Sequence, residues 1–278
     1  MSGTVGGSSN GGSSNEGGAL SASHLDRLVQ ESRAEMAQRL VKAPLEVVRQ
    51  RAFAAPAPRP FVQKLLSGSG LIAEIKRSSP SKGAINPDLD PVALARAYQS
   101  GGAACLSVLT QRTSFGGSLH DLSAARSACA LPALRKDFLV EPYQLFEARA
   151  HGADAVLLIA AALPLEELVA LRALAAELRL AVLLEIHQED ELSKARACKP
   201  DLLGINARNL LTLEVDAGAF ERLAPLAREI APLVAESGVK TGDDVRRLRG
   251  LGARAVLVGE ALSSAFDPEI ATRLLVSA

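Results

Sequence analysis

The chain has 278 residues, 48% of them hydrophobic, with 31 Lys and Arg against 31 Asp and Glu. That length suits one large domain or two small ones, and α/β barrels commonly run this long as one. Balanced charge gives no sign of nucleic acid or an anionic membrane surface as partner, and leaves a small charged ligand open. The longest apolar stretch, 155–165, contains Pro164 and falls far short of the roughly 18–20 residues a membrane helix needs.

The N-terminus lacks a basic region and an apolar core, so no signal peptide is expected. Residues 1–22 are rich in Gly, Ser and Asn and bury too little apolar surface to offset ordering entropy, so a disordered tail is expected there. Residues 23–52 place Leu25, Leu28, Val29, Met36 and Leu40 at helical spacing, and Pro44 starts or interrupts a second helical stretch. A Pro-rich connector (54–60) leads to a short helix that stops at "SGSG".

After Gly70 the pattern changes. Apolar runs at 71–76, 103–109, 131–136, 154–160, 180–186, 202–206, 232–237 and 254–259 alternate with helix-like stretches. Gly102, Gly152 and Gly252 stand just before strands, as glycines after helix C-termini do. Strands apolar on both faces and separated by helices argue for a parallel sheet covered on both sides. Eight such units predict a (β/α)8 TIM barrel of residues 23–278, with extra N-terminal helices over 23–68. The alternative, an open doubly wound sheet, is weakened for dinucleotide binding because no GxGxxG follows the first strand.

A barrel carries its active site at the C-terminal strand ends. There this chain has Glu74 and Lys76 on one face of the first strand, Lys136 and Asp137, Glu185, Asn206 with Arg208 and Asn209, Glu236 before Ser237-Gly238, and Gly259-Glu260. One solvated charge at a strand end would mean little. With Thr110 after the second, seven of eight strands end in polar groups, which points to a charged ligand. "SG" and "GE" after the last two strands suggest phosphate, with Lys76 and Ser79 completing the cradle. Phe115 and Phe138 either pack on an aromatic or apolar group or anchor their loops. Cys105, Cys129 and Cys198 form no CxxC pair, and His24, His120, His151 and His187 have no ligand spacing. Reduced thiols in a cytoplasm are expected, and no metal.

"LIAEIKRSSPSKG", "LSVLTQRTSFGGSLHDL", "LPALRKDFLVEPYQLFEARAHGADAVLLI", "LLEIH", "LLGINARNLLTLEVD", "VAESGV" and "AVLVGEAL" resemble the indole-3-glycerol-phosphate synthase family in order and spacing, over about residues 24–275. The resemblance implies a step of tryptophan biosynthesis without a cofactor. In it 1-(2-carboxyphenylamino)-1-deoxyribulose 5-phosphate undergoes ring closure, decarboxylation and dehydration to indole-3-glycerol phosphate. It implies Lys136 as general acid, with Glu185, Glu74 and Lys76 as the further acid–base residues. Asn206, Arg208 and Glu236 then match positioning residues, and Ser79, Ser237, Gly238, Gly259 and Glu260 match the phosphate site. Association with other tryptophan-pathway enzymes is compatible with it. Gln111 and Ala207 depart from the family's usual Asp and Asn. Sugar-phosphate isomerases on the same scaffold use Cys/Asp or Asp/Asp pairs, and the first strand's Glu-x-Lys argues against them. A non-catalytic barrel with a Gly/Ser tether is opposed by the intact Lys136, Glu185, Glu74 and Lys76 set.

Overall fold

In the computed structural model, residues 1–4, 23–210 and 212–278 are described. The tail expected over 1–22 therefore falls, past residue 4, outside the described residues. Eight parallel strands close into a barrel: β1 Leu71–Ile75, β2 Cys105–Leu109, β3 Ala133–Lys136, β4 Ala155–Ile159, β5 Ala181–Ile186, β6 Leu202–Asn206, β7 Leu233–Glu236 and β8 Ala255–Val258. Each strand pairs with its sequence neighbour, and β8 pairs back onto β1 with Leu71 opposite Val256. Every predicted apolar run holds one strand. The third is trimmed to four residues because Pro132 has no N–H for the ladder, although its carbonyl still accepts from Leu106 N (2.8 Å).

Among the described residues three helices precede the barrel: α1 His24–Lys42, α2 Leu45–Ala54 and α3 Phe61–Ser67. Ser23 caps α1 in a reciprocal box with Asp26, and Pro44 is the N-cap of α2. Further helices cover the barrel: α4 Pro91–Ser100, α5 Leu119–Ala128, α6 Pro142–Ala150, α7 Leu165–Glu177, α8 Leu192–Cys198, α9 Ala219–Ala227, α10 Gly242–Gly250, α11 Glu260–Ser263 and α12 Pro268–Val276. Gly102, Gly152 and Gly252 have φ of 91°, 82° and 102°, the left-handed conformation their positions predicted. A two-stranded hairpin, Ser78–Ser79 with Gly83–Ala84, sits in the loop after β1. Strands of two residues leave no period to read, so no pattern in the chain marks it.

The core falls into two clusters that follow strand alternation. Leu71, Ala73 and Ile75 face the helices, while Ile72, Leu134, Leu157, Leu183, Leu202, Val234 and Leu257 fill the barrel interior. Phe61 and Leu65 of α3 join the interior cluster together with Leu25 and Leu28 of α1. The Phe61 carbonyl accepts from Cys105 Sγ at 3.6 Å, which sets α3 against the start of β2. Leu28 also lines the cavity at the strand C-termini, so α1 covers part of the mouth. Three polar tethers hold it there. Glu31 accepts from Gln111 Nε2 (3.0 Å) and Ser114 Oγ (2.7 Å), Glu35 accepts from Thr113 N (2.8 Å), and Ser32 Oγ donates to the Phe138 carbonyl (2.9 Å).

Candidate active site

The alternation that puts apolar residues inside also aims the next inward position of each strand at the mouth. Two residues beyond Ile72, Leu134, Leu183 and Val234 stand Glu74, Lys136, Glu185 and Glu236. A cavity of about 780 Å³ opens there, and of the residues singled out at the strand ends all but Thr110 and Asn209 line it. Its floor and one wall are apolar, formed by Leu109, Leu157, Ile159 and Leu257 with Phe115 and Phe138. The two phenylalanine rings lie 6.2 Å apart at 40° and join the interior cluster, so they both anchor their loops and face the cavity.

Lys136 is the centre of the charged set. Its Nζ donates to Glu185 Oε2 at 2.8 Å and lies 3.3 Å from Glu236 Oε2. Burial opposes the ammonium, but Glu185, Glu236 and Glu74 outweigh it and hold Lys136 well above the ordinary lysine value. Glu185 is driven the other way. Burial would raise it, yet Lys136 and His187 hold it well below the usual carboxylate range. Glu236 is pushed up to about 8, because burial and the neighbouring Glu185 outweigh the pull of Lys136. Two carboxyls beside one lysine are thus driven apart, Glu185 downward and Glu236 upward. Neither Glu236 oxygen makes a directed hydrogen bond within the protein, and Oε2 keeps only its 3.3 Å approach to Lys136 Nζ.

This division is testable by stability. Glutamine mimics a protonated glutamate, so Glu236→Gln should melt within about 2 °C of the parent. Glu185→Gln removes an ionised partner from Lys136 and His187 and should cost roughly 3 kcal/mol. Thermal unfolding by circular dichroism distinguishes the two, and equal losses would overturn the assignment of charge.

Glu74 and Lys76 form a second pair at 3.0 Å, with Ser107 Oγ donating to Glu74 Oε2 at 3.2 Å. The backbone beneath is fixed by Ser263, whose Oγ donates to the Glu74 carbonyl (2.8 Å) and accepts from Lys76 N (3.2 Å). Two glycines leave the required room. A Cβ at Gly259 would lie 2.3 Å from Glu74 Oε1 and 2.9 Å from Lys76 Nζ. A Cβ at Gly204, inside β6, would lie 2.0 Å from Glu236 Oε1. Gly259, singled out for phosphate, therefore also makes space for the Glu74–Lys76 pair.

On the far side of the mouth, Asn206 Oδ1 accepts from Arg208 N (2.9 Å), and Arg208 Nη1 donates to the Leu213 carbonyl (2.9 Å). Ser237 and Gly238 follow with φ of 64° and 76°. A serine in that conformation stores strain of order 1 kcal/mol, a cost usually met at functional turns. Ser79 lies across from them on the hairpin, its Oγ 3.4 Å from Ser81 Oγ. Glu260 begins α11 with its carboxylate 3.5 Å from Lys82 Nζ.

Asp137, adjacent to Lys136, turns away from the cavity charges. It accepts from Thr110 Oγ1 (2.7 Å), Arg135 Nη2 (2.9 Å) and its neighbour Phe138 N (2.8 Å). Sequence reasoning missed four contributors: Ser107, Arg135, His187 and Ser263. Ser107 and His187 stand at inward-parity positions relative to site residues, which is a readable signal. Arg135 reads as one more strand-end cation, and Ser263 carries no signal at all.

The chain matches the family model described as indole-3-glycerol phosphate synthase over residues 25–275. Curated relatives of that name include one from Mycolicibacterium vanbaalenii, 46% identical over 259 residues that cover 93% of this chain and 95% of the relative. One from Mycolicibacterium smegmatis is 47% identical with the same coverage, and indole-3-glycerol phosphate synthase 1 of Streptomyces coelicolor is 47% identical over 91% of this chain and 95% of its own. Among solved structures, 3-hexulose-6-phosphate synthase from Salmonella typhimurium superposes with a TM-score of 0.59 at 14% identity, covering 75% of this chain and 97% of that one. Thiamine phosphate pyrophosphorylase from Pyrococcus furiosus gives 0.57 at 18% identity, over 77% and 96%. At those identities the two structures speak to the barrel fold alone.

Proposed function

Because the chain belongs to the indole-3-glycerol phosphate synthase family, we propose that its cavity converts 1-(2-carboxyphenylamino)-1-deoxyribulose 5-phosphate to indole-3-glycerol phosphate, carbon dioxide and water. The observation that carries the assignment to residues is the Lys136 ammonium, clamped by Glu185 and Glu236 over an apolar floor. An aromatic ring fits that floor between Phe115, Phe138 and the leucines, while charges surround the ribulose.

Ring closure needs a proton on the substrate carbonyl oxygen as the aromatic carbon attacks it. Lys136 supplies that proton. Its clamp makes it a weak acid at rest, but the oxygen it serves develops alkoxide character as the carbon attacks, far more basic than either carboxylate, and ends as an alcohol. Lys76 pairs with the substrate carboxylate until carbon dioxide leaves, and that departure restores an electron-rich ring system. The hydroxyl formed in the first step then departs as water, protonated on oxygen by Lys76, while the methylene carbon beside the nitrogen gives up a proton. Glu185 is the ionised group in reach and accepts that proton, with Glu74 as its counterpart across the cavity. General acid–base help of this kind is worth about 10²–10⁴-fold in rate.

Asn206, Arg208 and Glu236 orient the sugar, and protonated Glu236 can donate to a hydroxyl or an ester-like oxygen. The phosphate rests on Ser79, Ser237, Gly238 and Gly259 at the opposite end. Glu260 offers that anion its backbone N–H, its carboxylate being engaged by Lys82. No cofactor enters the scheme. The proposed compartment is the cytoplasm, which suits three cysteines that are all free thiols. Association with other tryptophan-pathway enzymes is a further proposal, testable by co-purification with them.

The assay is direct. The chain has no Trp, so indole emission from the product appears on a dark background. Adding the carboxyphenylamino-deoxyribulose phosphate to the purified protein should give steady growth of that emission. A folded protein that produces none would overturn the function.

A further inference from the structure

His187 lies just beyond β5, two residues after Glu185, and its ring is 6% exposed. Its Nε2 is 3.1 Å from Glu185 Oε1, while the other oxygen of that carboxylate accepts a hydrogen bond from Lys136 Nζ. Glu191, from the turn Glu189–Glu191, accepts the His187 backbone N–H at 2.6 Å, and the same oxygen stands 3.8 Å from the ring's Nδ1. Each ring nitrogen therefore faces a carboxylate. A neutral imidazole can present a proton to only one of them, and an imidazolium presents one to both. Neither ring contact is a directed hydrogen bond; both are close approaches of a ring nitrogen to a carboxylate oxygen.

We infer that His187 is a positioning residue, a buried imidazolium which, with Glu191 behind it, keeps Glu185 ionised and aimed at the substrate. The inference rests on the reading of Glu185 as proton acceptor. Glu185 is faced by Lys136 from β3, Glu236 from β7 and His187 on its own chain segment; Lys136 is in turn influenced by Glu74 from β1. His187 is faced by Glu185 and Glu191, which against the opposing effect of burial raise it to about 9. The cation thus persists through neutral pH. His187 does not line the cavity and touches no substrate atom in this scheme.

The purpose of a second cation follows from the reaction. When Lys136 gives its proton away it loses its charge, and Glu185 loses its nearest counter-ion before it must act as a base. His187 keeps a positive charge beside Glu185 at that moment. A carboxylate without either cation, beside Glu236 in a buried site, would take up a proton and could not accept another.

The test is the pH dependence of kcat in His187→Gln beside the parent. The acid limb should move up by about one pH unit or more, with KM within about threefold. An unmoved limb, or a fall by one factor at every pH, would mean that the ring only packs and would overturn the inference. A second measurement does not depend on that variant folding. In the ¹⁵N-labelled parent, with the other three histidines assigned by replacement, both His187 ring nitrogens should be protonated at pH 7.5. A neutral ring there overturns the proposal whether or not the protein turns over. Absence of turnover by the parent would instead strike the proposed function, with the ring's charge still read independently.

Discussion

Lys136→Met lowers kcat by about 10²–10⁴-fold, a barrier increase of roughly 3–5 kcal/mol, measured by product fluorescence. The magnitude follows from what methionine keeps and what it removes. It keeps most of the volume, so the interior packing at Leu134 and Leu157 is preserved. It removes the proton for the substrate carbonyl and the only cation within 3.3 Å of Glu236 among the described residues. Glu185 and Glu236 are then left sharing protons, with His187 as the remaining counter-ion of Glu185. The residual activity should therefore acquire a higher acid limb than the parent, because more acidic solution is no longer needed to neutralise Glu185. A loss in kcat without any movement of that limb would separate the two functions of Lys136. Unchanged turnover would overturn Lys136 as the acid while leaving the reaction in place.

The barrel was legible because its strands must be apolar on both faces, one against helices and one in the interior. That doubles the signal in each short run, and all eight runs hold strands. The candidate site was legible for a related reason. An inward position that is polar at the end of such a run, as at Glu74, Lys136, Glu185 and Glu236, has no packing role to explain it. Legibility ended where a residue's purpose depends on distance rather than on pattern. Gly204 reads as a weak point in β6, and only the 2.0 Å approach of Glu236 to its missing Cβ explains it. Ser263 holds the β1 backbone from a position 189 residues away from Glu74, a relation no local window contains. Gln111 looked like a flanking departure. It is fully buried, it donates to Glu31, and it accepts from Ser114 N, so it fastens α1 to the loop after β2.

Arg135 is the strongest case of this kind, and replacing it should produce the largest loss of stability. It stands one residue from Lys136, so alternation turns it outward, between the barrel and α6. It is fully buried, and its guanidinium donates to Thr110 Oγ1 (3.1 Å), the Gln144 carbonyl (2.6 Å) and Asp137 Oδ2 (2.9 Å), with Glu147 at 3.6 Å. The network continues outward. Arg39 of α1 pairs with Glu147 at 2.7 Å, and Ser32 of α1 receives a hydrogen bond from Gln144 Nε2 at 3.0 Å. One planar fork thus joins the ends of β2 and β3 to α6 and, through two further side chains, to the helix over the mouth. Arg135→Met leaves Asp137 short of its cation in a buried place, a loss of about 3–5 kcal/mol. For a chain of this size that is a fall in Tm of about 10 °C. Arg135→Lys keeps the charge but cannot reach three acceptors in one plane, so it should recover less than half of the loss. Because β3 carries Lys136 at its very end, kcat should fall at least about tenfold in Arg135→Met even where the protein remains folded, a misplacement effect rather than a chemical one. A variant that melts within about 2 °C of the parent would show that packing alone sets the end of β3.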